Sequence, residues 1–488
     1  MSWLTEFSVR GGFRLLSLGA SAVFVNLALA EIFPPPRIQS ERLLSASAWS
    51  MKRLPDDGAI VAGYAWTNGF DFYAARLDPT GATVWARTYG GSAYDDAFTV
   101  EPTTDGGFLL AGRSHSDVGG DRSATNHGDS DFWIVRTDGD GDKLWDASFG
   151  GSKGDYPEAV LQEADGRFLI GGFSASPDDG NKTSLPNGLT DAWLVCVSSN
   201  GTKLWDRAFG GTADDGAAAL VHTADGKYLF VGHSQGAATG NKTSDGFGSW
   251  DMWIGCVNTN GNKLWDRSFG GTGFDYAEDV KLTPDGGFVI AGYSGSAMTG
   301  NKTAPQLGAG DAWVVRIDRD GNKLWDRSYG STNSDSFYSV ALTLDGGFIF
   351  SGSQGSDFWI VRTDGAGEVL WDRTFIAPNL DRAHSVVSLA NGGYLVSGIV
   401  DIDAFEETWL IKLGQDSPLL ESPQFRNGEF QFSLRGTSND YVIEFSTNLT
   451  NWTVLGTNRI PISGSGIMIV DSNAPSSVQR FYHARPLP

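Results

Sequence analysis

Residues 131–151 read Asp-Phe-Trp-Ile-Val-Arg-Thr-Asp-Gly-Asp-Gly-Asp-Lys-Leu-Trp-Asp-Ala-Ser-Phe-Gly-Gly, and versions of the phrase begin again at Asp191, Asp251, Asp311 and Asp357. Phe132, Ile134 and Arg136 alternate with Trp133 and Val135, the period of two that marks a strand. Asp138-Gly139-Asp140-Gly141 then turns the chain back, and Lys143 to Phe149 runs antiparallel to what came before. Each copy carries two tryptophans. Trp85, Trp145, Trp205, Trp265, Trp325 and Trp371 form one set, the first five at intervals of 60 residues. Trp133, Trp193, Trp253, Trp313, Trp359 and Trp409 form the other, which Tyr73 opens.

Working outward, unit two adds two strands ahead of this hairpin, Ala97 to Thr103 and Phe108 to Gly112, joined by Thr104-Asp105-Gly106-Gly107. A four-stranded antiparallel meander results. Its first turn recurs at Asp56, Asp105, Asp165, Asp225, Asp285, Asp345 and Asn391, which makes seven units. One such sheet cannot bury both faces, and radial stacking of seven solves this. The expected fold is all-β: a seven-bladed β-propeller over residues 31–416, with the tryptophans packed between blades. A β-solenoid would lack the paired hairpins. Two segments compete for the missing outer strand of blade seven, Pro418 to Ser422 and Ile32 to Glu41. Pro34 to Pro36 cannot donate to a ladder, so the C-terminal segment is favoured.

Length variation falls in one loop. Gly112 to Asp131 spans 19 residues and Gly352 to Asp357 spans 5, which accounts for the shorter repeat of blade six. This connection between second and third strands lies on one side of a propeller, where insertions commonly mark a binding face. Three long loops share Gly-Asn-Lys-Thr, and Asn181, Lys182, Asn241, Lys242, Asn301 and Lys302 are candidate ligand contacts. Each Asn-Lys-Thr also matches a glycosylation sequon. The competing reading is that Asn makes a local turn after Gly.

Acidic residues recur at each blade link: Asp95, Asp155, Asp215, Asp275, Asp335 and Asp381, with Ala46 in unit one. A second series precedes the third strand at Asp71, Asp131, Asp191, Asp251, Asp311, Asp357 and Glu407. Oxygen ligands at a propeller mouth could hold calcium. A carboxylate present once per blade more often accepts local backbone N–H bonds, and an active site needs unlike residues converging. Asp138 to Asp142 opens like an EF-hand loop but has Lys143 and Phe149 where glycine and glutamate belong. Gly232-His233-Ser234-Gln235-Gly236 matches a nucleophile elbow without the required strand-to-helix turn. The six histidines show no zinc spacing; His115 and His127 share a loop with three aspartates. Cys196 and Cys256 occupy one repeat position in neighbouring blades, too far apart to bridge, and read as free thiols.

The segment 1–30 reads as a signal peptide: Arg10 and Arg14, an apolar run from Leu15, and Ala28-Leu29-Ala30 for cleavage near Ala30. The run is too short for a bilayer. A formal net charge of −22 repels nucleic acid and anionic lipid. Residues 417–488 abandon the repeat for short strands such as Tyr441 to Ser446, enough for one small β-sandwich.

Asp-x-Trp-Ile/Val-Val-Arg, Gly-Asn-Lys-Leu-Trp-Asp-Arg-Ser-Phe-Gly-Gly and Asp-Gly-Gly-Phe together resemble propeller-like repeats of secreted and cell-surface bacterial proteins, over residues 41 to about 413. The Ser-Thr-Asn-Leu-x-x-Trp and Phe-Tyr-x-Ala elements of the tail are similar to fibronectin-like C-terminal modules. Gly81 to Trp85 also looks like the tryptophan-docking repeat of quinoprotein dehydrogenases, with a spacing one shorter; sialidase Asp-boxes match less well. The resemblance implies architecture and brings no activity. The expectation is a secreted, monomeric binding or surface-interaction protein, with an extracellular glycan or protein as partner and neither nucleic acid nor a membrane span. The alternative is a carbohydrate-active hydrolase or lyase, or a quinoprotein-like oxidoreductase, on the same propeller.

Overall fold

The computed structural model describes residues 35–416 except 68, 377–380 and 403–404, and beyond them 419–426, 429–435, 440–446, 453–459, 467–472 and 481–486. The expected signal peptide, residues 1–30, lies outside the described residues. Every regular element described is a strand, and seven antiparallel four-stranded sheets form the blades of a propeller. Blade two is Asp95–Pro102, Phe108–Ser114, Asp131–Thr137 and Lys143–Phe149, within two residues of the sequence reading.

The two tryptophan sets do different work. Trp133, Trp193, Trp253 and Trp313 are fully buried in the walls between blades. Trp193 packs on Phe132 of the preceding blade with ring centroids 4.7 Å apart, inside a cluster that also holds Leu109, Ile134, Phe168 and Val195. The other set clamps hairpins. Trp85 Nε1 donates to Gly139 O of the next blade at 3.0 Å, and its ring lies 3.0 Å from where a side chain on Gly141 would begin. Gly141 has φ of +82°, so this tight turn needs glycine both for its backbone and for the ring beside it. Asp138 completes the turn, accepting from the N–H groups of Asp140 at 3.0 Å and Asp142 at 2.9 Å. This is a hairpin, as its equivalents in other blades indicate.

The ring closes from the N-terminal side, which corrects the expectation that Pro418 to Ser422 supplies the last strand. Ile38–Leu44 pairs antiparallel with Phe405–Leu413 as the outer strand of blade seven. Pro35 and Pro36 stand before this strand, so their missing N–H groups never enter the ladder. The C-terminal segment is diverted at Asp416, whose carboxylate accepts from Arg362 Nε at 2.9 Å, the Tyr394 hydroxyl at 2.6 Å and Trp371 Nε1 at 2.9 Å. Past that anchor, Leu419–Arg426 pairs with Glu429–Arg435. The tail forms two three-stranded sheets, Leu419–Arg426, Glu429–Arg435 and Ile467–Asp471 in one, Thr453–Arg459, Asp440–Ser446 and Phe481–Pro486 in the other. Phe430, Phe432 and Ile469 of the first sheet meet Tyr441, Ile443 and Tyr482 of the second in one cluster, a small sandwich core.

Cys196 and Cys256 are free and buried, and burial pushes both thiols up to about 11. They are inert packing groups.

Candidate functional site at the mouth of the central channel

The first strands of the blades contact one another in a closed circle and line the central channel. Each carries a β-bulge, between Pro157 and Ala159 in blade three and at equivalent places elsewhere. A bulge re-aims the extra residue. Here those residues are Trp49, Phe98, Glu158, Ala218, Glu278, Tyr338 and His384, all half-buried. They divide the channel into two arcs. Phe98, Trp49, His384 and Tyr338 make a continuous aromatic arc, with centroid separations of 6.2, 4.9 and 5.1 Å in that order. Glu158 and Glu278 flank Ala218 on the other side. Burial pushes the Glu158 carboxyl up to about 8, with Glu278 adding to the effect, and pushes Glu278 up to about 7. Burial also holds His384 down to about 3.

Two residues nearer the mouth, the same strands present Ser47, Asp96, Tyr156, Gly216, Tyr276, Ser336 and Arg382. Arg113 pairs with Asp96 at 2.8 Å and lies over the rings of Tyr94 and Tyr156. No two neighbouring blades match here. Gly216 leaves room for His233, which stacks on Trp250 at 4.5 Å and is held down to about 4 by burial.

The residues singled out from the sequence lie on the same side of the propeller but are engaged in holding it together. Asp95, Asp155, Asp215, Asp275, Asp335 and Asp381 are all buried. Asp155 Oδ2 accepts from Gly151 N at 2.9 Å and Ser176 Oγ at 2.8 Å, and Asp275 repeats the pattern with Gly271 and Ser296. Across each junction a second buried acid approaches the same glycine: Asp131 and Asp155 at Gly150, Asp191 and Asp215 at Gly210, Asp251 and Asp275 at Gly270. Burial raises Asp155, Asp215 and Asp251 to about 6, and raises Asp131 and Asp191. The cations that face these acids are Lys182, Lys242, Lys302 and, in blade two, Arg122, all buried. They supply the positive charge that calcium would bring, and among the described residues no three His, Cys, Asp or Glu side chains gather to share an ion.

Lys182, Lys242 and Lys302 donate to Ser176 O, Gly236 O and Ser296 O at 2.5, 2.8 and 2.7 Å. Asn181, Asn241 and Asn301 accept from Gly150, Gly210 and Gly270 N and donate to the carbonyls of Ser148, Ala208 and Ser268. The asparagines thus fasten each long loop over the preceding blade link, and the lysines tie the same loop to itself. The next residues dock on a third acid: Asp206 accepts from Thr183 N, Ser184 N at 2.8 Å, Trp193 Nε1 at 3.2 Å and Lys203 Nζ at 2.9 Å. These donors outweigh burial and hold Asp206 well below the carboxylate range, and Asp146 and Asp266 at about 2.

One depression opens at the mouth, about 380 Å³ in volume. It sits where blade six has only Gln354, Gly355 and Ser356 in place of a long loop. Trp250 and Phe274 stand on one side, with Tyr276 and Tyr293 stacked at 5.1 Å behind them. Ser334, Ser336, Ser353 and Tyr338 line the other side, and Arg382 of blade seven reaches in. Phe274 is 54% exposed. Sequence reasoning missed this set because it looked for residues that repeat. The signal was present in the reverse sense: positions 156, 216, 276, 336 and 382 hold Tyr, Gly, Tyr, Ser and Arg inside a repeat that otherwise keeps its residues.

No known family profile matches the chain. The regulatory protein FlaEY of Caulobacter vibrioides is 24% identical over 205 residues, 38% of this chain and 21% of that protein, so the chain spans about a fifth of this relative. Among solved structures, hydrazine synthase of Kuenenia stuttgartiensis aligns with a TM-score of 0.46 at 11% identity, covering 77% of this chain and 96% of that one. A structure of YCF48 bound to a D1 peptide aligns with a TM-score of 0.46 at 11% identity, covering 80% and 100%. Likeness at this level carries no activity over.

Proposed function

We propose that this chain is a secreted binding protein that takes an extracellular glycan, or a glycan-bearing protein, at the loop-side mouth of its propeller. The observation behind this reading is asymmetry. Positions between blades keep their residues from copy to copy, while positions facing the channel change from each blade to its neighbour and, at blade six, leave a pocket lined by aromatic rings and hydroxyls. Aromatic faces beside hydroxyl groups suit a sugar ring, whose C–H face packs on an aromatic and whose hydroxyls exchange hydrogen bonds. Among the described residues no helix is long and apolar enough to cross a membrane.

The test is a glycan-binding screen with the purified chain, repeated with Trp250→Ala and with Leu204→Ala on the outer rim. Binding lost in the first and retained in the second supports the reading. A ligand unaffected by Trp250→Ala sinks it. A carbohydrate-active enzyme is favoured by a separate observation: Glu158 and Glu278 share the channel with carboxyls raised to about 8 and 7, the condition of a general acid near neutrality. Turnover of a bound oligosaccharide, abolished by Glu278→Gln, would decide for it.

A further inference from the structure

Resting on the reading of the mouth as a glycan site, we infer that the pocket at blade six selects a sugar residue bearing a carboxylate, with Arg382 as the group that recognises it. The pocket brings together three kinds of surface. Phe274 offers exposed aromatic area, and half-buried Trp250 stands beside it, from the junction of blades four and five. Ser334 offers an exposed hydroxyl from blade six, and behind it the buried Ser353 shares a hydrogen bond with the Tyr338 hydroxyl at 3.3 Å. Arg382 opens the first strand of blade seven, exposed to solvent, and is the sole cationic side chain of the lining.

Its situation differs from that of Arg113 at the channel and of Arg136 and Arg316 at the hairpins. Arg113 is held by Asp96 at 2.8 Å, Arg136 by Asp105 at 2.5 Å, and Arg316 by Asp285 at 2.6 Å. Among the described residues Arg382 has no ion pair or hydrogen bond of this kind. Glu278, deeper in the channel, feels the Arg382 charge but forms no ion pair with it. Asp381 beside it is turned inward and buried, accepting from Asp401 N at 3.3 Å. The guanidinium is therefore left with its planar fork of donors facing the pocket. Such a fork matches the two oxygens of a carboxylate, and it does so with little loss of hydration compared with an ammonium. The rings then take the body of the sugar and the serines its hydroxyls.

The overall charge of −22 sharpens the class of ligand. A uniformly anionic polymer would be repelled along most of the surface. A mainly neutral chain with an occasional acidic branch would meet one complementary charge at one place. The geometry thus points to an oligosaccharide carrying a single uronic acid residue.

The probes are xylotetraose and the same tetrasaccharide bearing one glucuronic acid branch, measured by calorimetric titration against the whole chain. A glucose-6-sulfate-bearing oligosaccharide serves as a third arm. The acidic xylan fragment is expected to bind about tenfold or more tightly than the neutral one, as a charge-assisted pair provides. Arg382→Gln should erase that difference while leaving the neutral ligand and the melting temperature where they were, since the side chain is exposed. Equal affinity for both xylan probes, or an Arg382→Gln variant that keeps the preference, overturns the carboxylate assignment. If both probes bind equally and Trp250→Ala weakens both, the mouth remains a glycan site and this inference alone fails. Preference for the sulfate over the carboxylate also overturns it, and so does the absence of any binding.

Discussion

The walls between blades and the surface of the channel are made by the same strands, yet they follow opposite rules. In the walls, Trp133, Trp193, Trp253 and Trp313 stand at equivalent points with no exposed area, because each must fill the same gap against a neighbour of the same shape. Across the sheet, the bulge positions run from Trp49 to Ala218 to Glu278, since a side chain facing an open axis has no fixed partner to fit. Repetition records packing, and its interruption records freedom to acquire a ligand.

Substitution in a wall should therefore cost stability alone, and the largest expected effect is Trp193→Ala. Removing a buried tryptophan costs about 3–5 kcal/mol, and the cavity would lie between blades two and three. Chemical denaturation of the variant measures this; a loss under about 1 kcal/mol would mean that the wall collapses around the gap. Asp206→Ala comes next. It leaves the Thr183 and Ser184 N–H groups without their acceptor and reduces Trp193 Nε1 and Lys203 Nζ to Ser184 Oγ and Asn181 O, for an expected cost of about 3 kcal/mol.

The junction acids sharpen the contrast within the wall itself. Asp155, Asp215 and Asp251 bind protons more tightly folded, at about 6, than unfolded, near 3.8, so their protonation favours the fold. Their contribution to stability is present at low pH and is lost as pH rises through 6. Glu158 and Glu278 act in the same sense up to about 8 and 7. His233 and His384, neutral in the fold, oppose this below their ordinary value of 6.5. The lowered Asp146 and Asp266 withdraw their stabilisation only as pH falls below 3.8 toward 2. Five acids against two histidines give a melting temperature higher at pH 5 than at pH 8. Asp155→Asn should flatten that slope and change stability at pH 7.5 by less than about 1 kcal/mol. A protein more stable at pH 8 would contradict the balance.

The smallest effect on stability is expected at the channel mouth. Grafting the loop 175–190 in place of 354–356 should cover the pocket and abolish ligand binding while the melting temperature stays near that of the parent. In the reverse exchange, the short turn placed in blade three should still fold, because blade six keeps Trp359 Nε1 on Asp372 at 3.2 Å without a long loop. Ligand binding that survives the covering loop would move the site elsewhere.

These contrasts explain what the sequence disclosed. Blade number, strand limits and hairpins were legible because each copy repeats the glycine at 141 or its equivalents and the tryptophan beneath it. The Asn-Lys pairs drew attention for the same reason, and their side chains hold the long loops in place by hydrogen bonds. Arg382 and Trp250 were not legible, since no local pattern brings residues 132 positions apart to one rim. The closing strand was misjudged because the prolines were weighed as part of the strand, whereas its pairing starts at Ile38.

That closure sets the order in which the molecule can be completed. Residues 38 and 413 must meet before blade seven has its fourth strand, so the earliest part of the propeller waits for the last. Neighbouring blades can form one after another by short-range pairing, but the final step joins ends separated by nearly the whole domain, and such contacts are slow to find. Once made, the seam leaves no blade short of its fourth strand, and the protein is expected to owe its persistence to slow opening of this one junction.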